Sequence, residues 1–102
     1  GFWRGEQDRA EWTFQLPAAG KYQVSLDFAC DQGTAGNRFQ LDFTGGTLKG
    51  TVPSTGTWDN YQQKMIGTIT LPAGTNDLAF HADGEPGGYL IDLRAIRLIP
   101  LR

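Results

Sequence analysis

Ten consecutive residues, Lys21 to Cys30, alternate between apolar and polar side chains, and this run constrains the fold more than any other feature. Tyr22, Val24, Leu26, Phe28 and Cys30 fall on one parity; Lys21, Gln23, Ser25, Asp27 and Ala29 fall on the other. A period of two puts successive side chains on opposite faces, so the run predicts a strand with one buried face and one wet face. Trp12, Phe14 and Leu16 alternate in the same way with Glu11, Thr13 and Gln15. By that alternation Trp12 is expected in the core. Pro17-Ala18-Ala19-Gly20 joins the two strands, Pro fixing φ and Gly allowing the reversal.

The pattern continues downstream. Phe39, Leu41 and Phe43 alternate with Arg38, Gln40 and Asp42, and Thr44-Gly45-Gly46-Thr47 reads as a hairpin turn into a short strand through Leu48 to Val52. A long strand is expected from Tyr61 to Leu71, with Met65, Gly67, Ile69 and Leu71 on one parity. Pro72-Ala73-Gly74 ends it, and Leu78, Phe80 and Ala82 begin another. The last strand, Tyr89 to Leu98, changes parity between Leu93 and Ile96, which calls for a bulge near Arg94-Ala95 or for cover on both faces. No segment sustains a helical period. About seven strands must then bury their faces against one another, and two packed antiparallel sheets do so.

The predicted fold class is therefore all-β, a two-sheet antiparallel sandwich, and 102 residues suffice for one such domain. Nine basic and eleven acidic residues give a net charge of -2 with the basic ones scattered, which argues against a nucleic-acid partner. No run approaches the ~20 apolar residues of a helical membrane span. No signal peptide is visible, and the native N-terminus is expected to lie upstream of Gly1. Cys30 is the one cysteine, so no intrachain disulfide can form, and its parity reads as a buried small apolar residue.

Catalytic equipment is thin. His81 is the one histidine and falls on the face opposite Leu78 and Phe80. Ser25 and Ser54 lie outside any nucleophile-elbow context. One histidine and one cysteine cannot make a zinc site without several carboxylates. Glu6, Asp8, Glu11, Asp27, Asp42, Asp77 and Glu85 sit where solvated faces and turns are expected, not in a cleft that would tune them as acid and base. No Gly-rich phosphate loop joins a strand to a helix. No enzyme activity, catalytic residue or metal ligand is expected.

Aromatic side chains offer more. Sugar rings present apolar C–H faces that stack on Trp and Tyr, while their hydroxyls need planar polar partners. Thr57-Trp58-Asp59-Asn60-Tyr61 supplies both in a predicted loop, and the loop from Asp31 to Arg38 adds Asn37 and Arg38. The alternative for Trp58 and Tyr61 is that each caps the end of the core. Trp3 could lie in either setting.

Four phrases occur in order: Gly20-Lys21-Tyr22-Gln23-Val24, Thr55-Gly56-Thr57-Trp58-Asp59-Asn60-Tyr61, Leu71-Pro72-Ala73-Gly74 and Leu90-Ile91-Asp92-Leu93-Arg94-Ala95-Ile96. Together they resemble the family 6 and family 35 carbohydrate-binding modules of the galactose-binding-like jelly roll. Asp8-Arg9-Ala10-Glu11-Trp12 is similar to that family's Asp-x-x-x-Trp segment ahead of a strand. The resemblance implies an accessory module appended to a secreted glycan-active hydrolase, hence an extracellular or periplasmic setting. It implies a cleft in the loops at one end of the sandwich, with Trp58 or Tyr61 as one aromatic wall. The early-loop aromatic has no counterpart between Asp31 and Arg38, and Leu90 occupies the asparagine position, with Tyr89 beside it as a substitute. The family's structural calcium would draw on Asp92 and on acidic residues of an N-terminal strand; the visible sequence supplies only the former, so no cofactor is expected. The ligand-binding candidates are thus Trp58, Tyr61, Asp59, Asn60, Asn37, Arg38 and Tyr89, and the expected partners are a polysaccharide or oligosaccharide and other domains of the same polypeptide. The alternative is a structural or docking sandwich that binds no sugar.

Overall fold

A computed structural model describes residues 9–31, 36–84 and 91–101. Seven strands appear among them: β1 Arg9–Leu16, β2 Gly20–Ala29, β3 Arg38–Phe43, β4 Gly46–Thr51, β5 Gln62–Leu71, β6 Gly74–Ala82 and β7 Asp92–Pro100. They form a four-stranded sheet in the order β1-β6-β3-β4 and a three-stranded sheet in the order β5-β2-β7, with every pairing antiparallel. Apart from the β3–β4 hairpin, each consecutive strand lies in the sheet opposite its predecessor. The result is the two-sheet sandwich that the alternation predicts.

The core forms where the inner faces meet. Val24, Leu26 and Phe28 of β2 and Cys30 just beyond it pack with Phe39, Leu41, Leu78, Phe80, Ile69, Leu71, Val52 and Ile91. Phe39 and Phe80 stack with centroids 5.3 Å apart. Glycines open room for this packing: Gly50 pairs with Phe39 and Gly46 with Phe43, so each ring lies over a neighbour that has no side chain. Gly45 (φ 98°) and Gly74 (φ 95°) adopt the left-handed backbone of their turns.

Three expectations need correction. Trp12 points inward, paired with Leu78, yet it is 38% exposed. Both β1 and β7 are edge strands, and the sheets gape between them. Met65 is 51% exposed on the outer face, because a register shift at Val24/Ser25 makes Ile66 the extra residue of β5 and turns it toward the core. Asp27, expected on a wet face, is only 4% exposed. The parity change in β7 is a bulge: Ala95 pairs with Asp27 and Leu93 with Phe28, leaving Arg94 as the extra residue.

A Cβ at residue 50 would lie 2.7 Å from Cζ of the buried Phe39 ring, which stacks on Phe80. Gly50→Ala should therefore lower stability by about 1–3 kcal/mol, the usual cost of overpacking. Chemical denaturation checks this; a midpoint equal to that of wild type would contradict it.

Candidate functional site

The strand connections divide into two kinds. At one end, short turns at 17–19, 44–45 and 72–73 reverse the chain tightly. At the other end emerge the connections 30–37, 52–61 and 83–91. Backbone hydrogen bonds tie their described parts together: Gly36 N–H donates to Val52 O (3.0 Å), Val52 N–H to Asn37 O (2.8 Å), Thr55 N–H to Cys30 O (2.9 Å) and Asp83 N–H to Arg38 O (2.9 Å).

Thr55 staples the 52–61 connection to the end of β2. It is buried, its hydroxyl oxygen accepts from the Cys30 N–H (3.0 Å), and its hydroxyl donates to Thr57 O (3.1 Å). A bridge between Asp31 and Gly56 continues the contact. Ser54 Oγ accepts from Gly56 N–H and Thr57 Oγ1 from Asp59 N–H, so the loop closes largely on itself. Such bonds to buried backbone leave it little freedom to open.

The candidate residues divide accordingly. Trp58 is half-buried and packs on the core cluster. Asp59 is exposed beside it. Asn60 donates its side-chain N–H to Thr55 O, so part of its amide serves the loop itself. Asn37 joins the loop through its carbonyl, while Arg38 begins β3, exposed on the outer face of the four-stranded sheet. Tyr89 lies outside the described residues, as do Trp3, Glu6, Asp8, Glu85 and Leu90.

Tyr61 differs from Trp58. Its hydroxyl donates to Asp92 Oδ2 across the three-stranded sheet. The Arg94 guanidinium lies over its ring, 4.2 Å from the centroid. Arg94 also forks onto Asp27, Nε to Oδ2 and Nη2 to Oδ1, both at 3.1 Å. The hydrogen bond to Asp92 holds the Tyr61 phenol above its ordinary pKa, and the one to Asp27 raises that of Arg94. Neither Arg94 nor Asp27 stood out in the sequence as part of a site; the parity change at Arg94 was the only signal. Asp92, half of the implied calcium set, has Oδ2 engaged by Tyr61. Among the described residues no three His, Cys, Asp or Glu side chains group together.

Two concavities lie away from these residues. An open depression of ≈ 480 Å³ runs along the outer face of the four-stranded sheet over Ala79, between Arg9, Glu11 and Thr13 on one side and Asp42 and Thr44 on the other. Beside it Asp42 accepts from Gln40 Nε2 (2.7 Å) and Thr47 Oγ1 (3.1 Å) and lies 2.8 Å from His81 Nε2. His81 thus faces outward, as expected, but is paired. It sits on the sheet that does not contain Ser25. A groove of ≈ 210 Å³ opens between β1 and β7, lined by Trp12, Phe14, Leu78, Ile96 and Leu98.

The family model described as carbohydrate binding module (family 6) matches residues 4–100, nearly the whole chain. The chain belongs to this family. Carbohydrate binding is thus the function of this module, and the family is one of binding domains found within enzymes. The module is 41% identical over 89 residues to the β-agarase AgaA of Microbulbifer thermotolerans, covering 86% of this chain and 18% of that enzyme. It is 36% identical over 86 residues to the exo-β-D-glucosaminidase of Amycolatopsis orientalis, covering 80% of this chain and 8% of that enzyme. It therefore spans less than a fifth of either relative. A family 35 module solved with a glucuronic-acid-containing disaccharide superposes with a TM-score of 0.76 at 20% identity, over 97% of this chain and 73% of that one, a likeness of fold.

The Asp42 cluster makes a pH prediction. The hydrogen bond from Gln40 lowers the Asp42 pKa, burial opposes it, and His81 and Thr47 add to the lowering. A carboxyl whose folded pKa lies below its ordinary 3.8 favours the fold above that value and loses the contribution as pH falls through the folded pKa. Asp42→Asn should thus lose stability near neutral pH and converge on wild type in acid. Denaturation curves across the acid range test this; a difference independent of pH would refute it.

Proposed function

We propose that this module holds a glycan at the end of the sandwich where the 30–37, 52–61 and 83–91 connections meet. Trp58 supplies the apolar stacking surface; Asp59, Asn37, Arg38 and the free oxygen of the Asn60 amide hydrogen-bond hydroxyls, with Tyr89 contributing from the third connection. The observation that carries this reading is the Thr55 staple. It holds an aromatic loop rigidly against the end of β2, which spares much of the entropy that ordering a flexible loop on binding would cost. The module has no catalysis of its own. It tethers the rest of a longer polypeptide, a glycan-active hydrolase working outside the cytoplasm, to polysaccharide. The small share that it spans of the agarase and the glucosaminidase supports this accessory role.

A second role, docking onto another part of the same polypeptide, has one observation in its favour. The β1/β7 groove exposes Trp12, the kind of apolar surface that a packed neighbour would cover.

Titration calorimetry against agaro-, chitosan and α-1,6-linked gluco-oligosaccharides separates the two roles, probes suggested by the names of the relatives, among them the 1,6-α-glucosyltransferase of Sporosarcina globispora. Binding by wild type and a loss of about tenfold or more in Trp58→Ala are expected. A folded protein that binds no glycan at millimolar concentration sinks the sugar reading and leaves docking.

A further inference from the structure

Tyr61 reads from the sequence as the second wall of an aromatic platform, but its surroundings are those of a fastener. It stands one residue ahead of the Gln62–Phe28 pair, on the β5 side of the three-stranded sheet. Its hydroxyl bonds Asp92, which pairs with Ala29 from the β7 side. The ring therefore reaches across the central strand, over the position where β2 carries only the methyl group of Ala29. Arg94 closes one face of the ring at 4.2 Å, the distance at which a pyranose would otherwise stack.

Arg94 is not free to leave. It occupies the bulge of β7, where an extra residue re-aims the backbone toward the outer face, and both ends of its fork are on Asp27. Asp27 is 4% exposed, so swinging Arg94 aside for a sugar would strand a buried carboxylate. The salt bridge, the cation–π contact and the phenol–carboxylate bond run through one series of side chains, from β2 to β7 to the base of the aromatic loop.

We propose that Tyr61 is a positioning residue and not a stacking one. Asp27, Arg94 and Asp92 hold it across β2, and it anchors the C-terminal root of the 52–61 loop as Thr55 anchors its middle. Trp58, three residues upstream, is thereby presented in one orientation. This rests on the reading of Trp58 as the sugar-stacking residue. The anchoring itself does not depend on that reading.

The test uses Tyr61→Phe, which keeps the ring and deletes only the hydroxyl, with Arg94→Ala and Trp58→Ala beside it. Two readouts are taken on each folded variant: amide hydrogen exchange by NMR, and affinity for agaro-, chitosan and α-1,6-linked gluco-oligosaccharides. Tyr61→Phe should speed exchange in residues 55–61 by about tenfold, the worth of one hydrogen bond, while the core strands β2 and β3 stay protected. It should weaken whichever oligosaccharide binds, and Arg94→Ala should weaken it further. A stacking tyrosine makes the opposite forecast: Tyr61→Phe silent in both readouts, and Arg94→Ala neutral or tighter because the ring is uncovered. Either result overturns the proposal, as does faster loop exchange with unchanged affinity. Unweakened binding in Trp58→Ala removes the stacking role of Trp58, and loop exchange in Tyr61→Phe then decides the anchoring alone. If wild type binds none of the three probes, exchange again decides: protection lost only around 55–61 supports the anchor, and unchanged protection refutes it.

Discussion

Val24 to Cys30 is buried on both faces of β2, and this double burial sets conditions for much of the rest. The inner parity meets the facing sheet with Val24, Leu26, Phe28 and Cys30, a simple matter of removing apolar surface from water. The outer parity carries Ser25 and Asp27, and a carboxylate in that setting must be paired. Arg94 meets the need by standing as the extra residue of a β7 bulge. Once the guanidinium is fixed there, its open face covers Tyr61, and Tyr61 in turn grips Asp92. A requirement in the middle of the sheet is thus passed, contact by contact, to the root of the loop that carries Trp58.

The two ends of the sandwich are built differently. At one end a tight turn fixes the register of the β3–β4 hairpin, and two others carry the chain from one sheet to the other. The longer connections gather at the other end, where Thr55, Val52 and Asp83 satisfy backbone groups that would otherwise be stranded near the core.

Legibility of the site was uneven for physical reasons. The loop carrying Trp58, Asp59 and Asn60 stood out because aromatic and planar polar residues are adjacent in the chain. Its support did not. Tyr61 and Asp92 are 31 positions apart, and Arg94 and Asp27 are 67 apart. No local pattern joins them, and Asp27 has the parity of a solvated residue until Arg94 is laid over it. Trp12 misled in the opposite sense. Alternation reports which face a side chain takes, and Trp12 takes the inner face; whether anything covers that face depends on its place at the sheet edge.

The approximate strand positions and the sandwich class follow from the sequence by itself, because a period of two in apolar residues has few ways to leave water and short Pro/Gly turns permit few connections between strands. Membership of the carbohydrate-binding family was legible in the same way, from phrases contiguous along the chain. Which strands become edges, that β5 bulges at Ile66 and which aromatic is covered belong to the tertiary structure alone. Each depends on pairing between residues far apart in sequence, where one extra residue in β5 turns Met65 outward and brings Ile66 in, and another in β7 carries Arg94 onto Asp27.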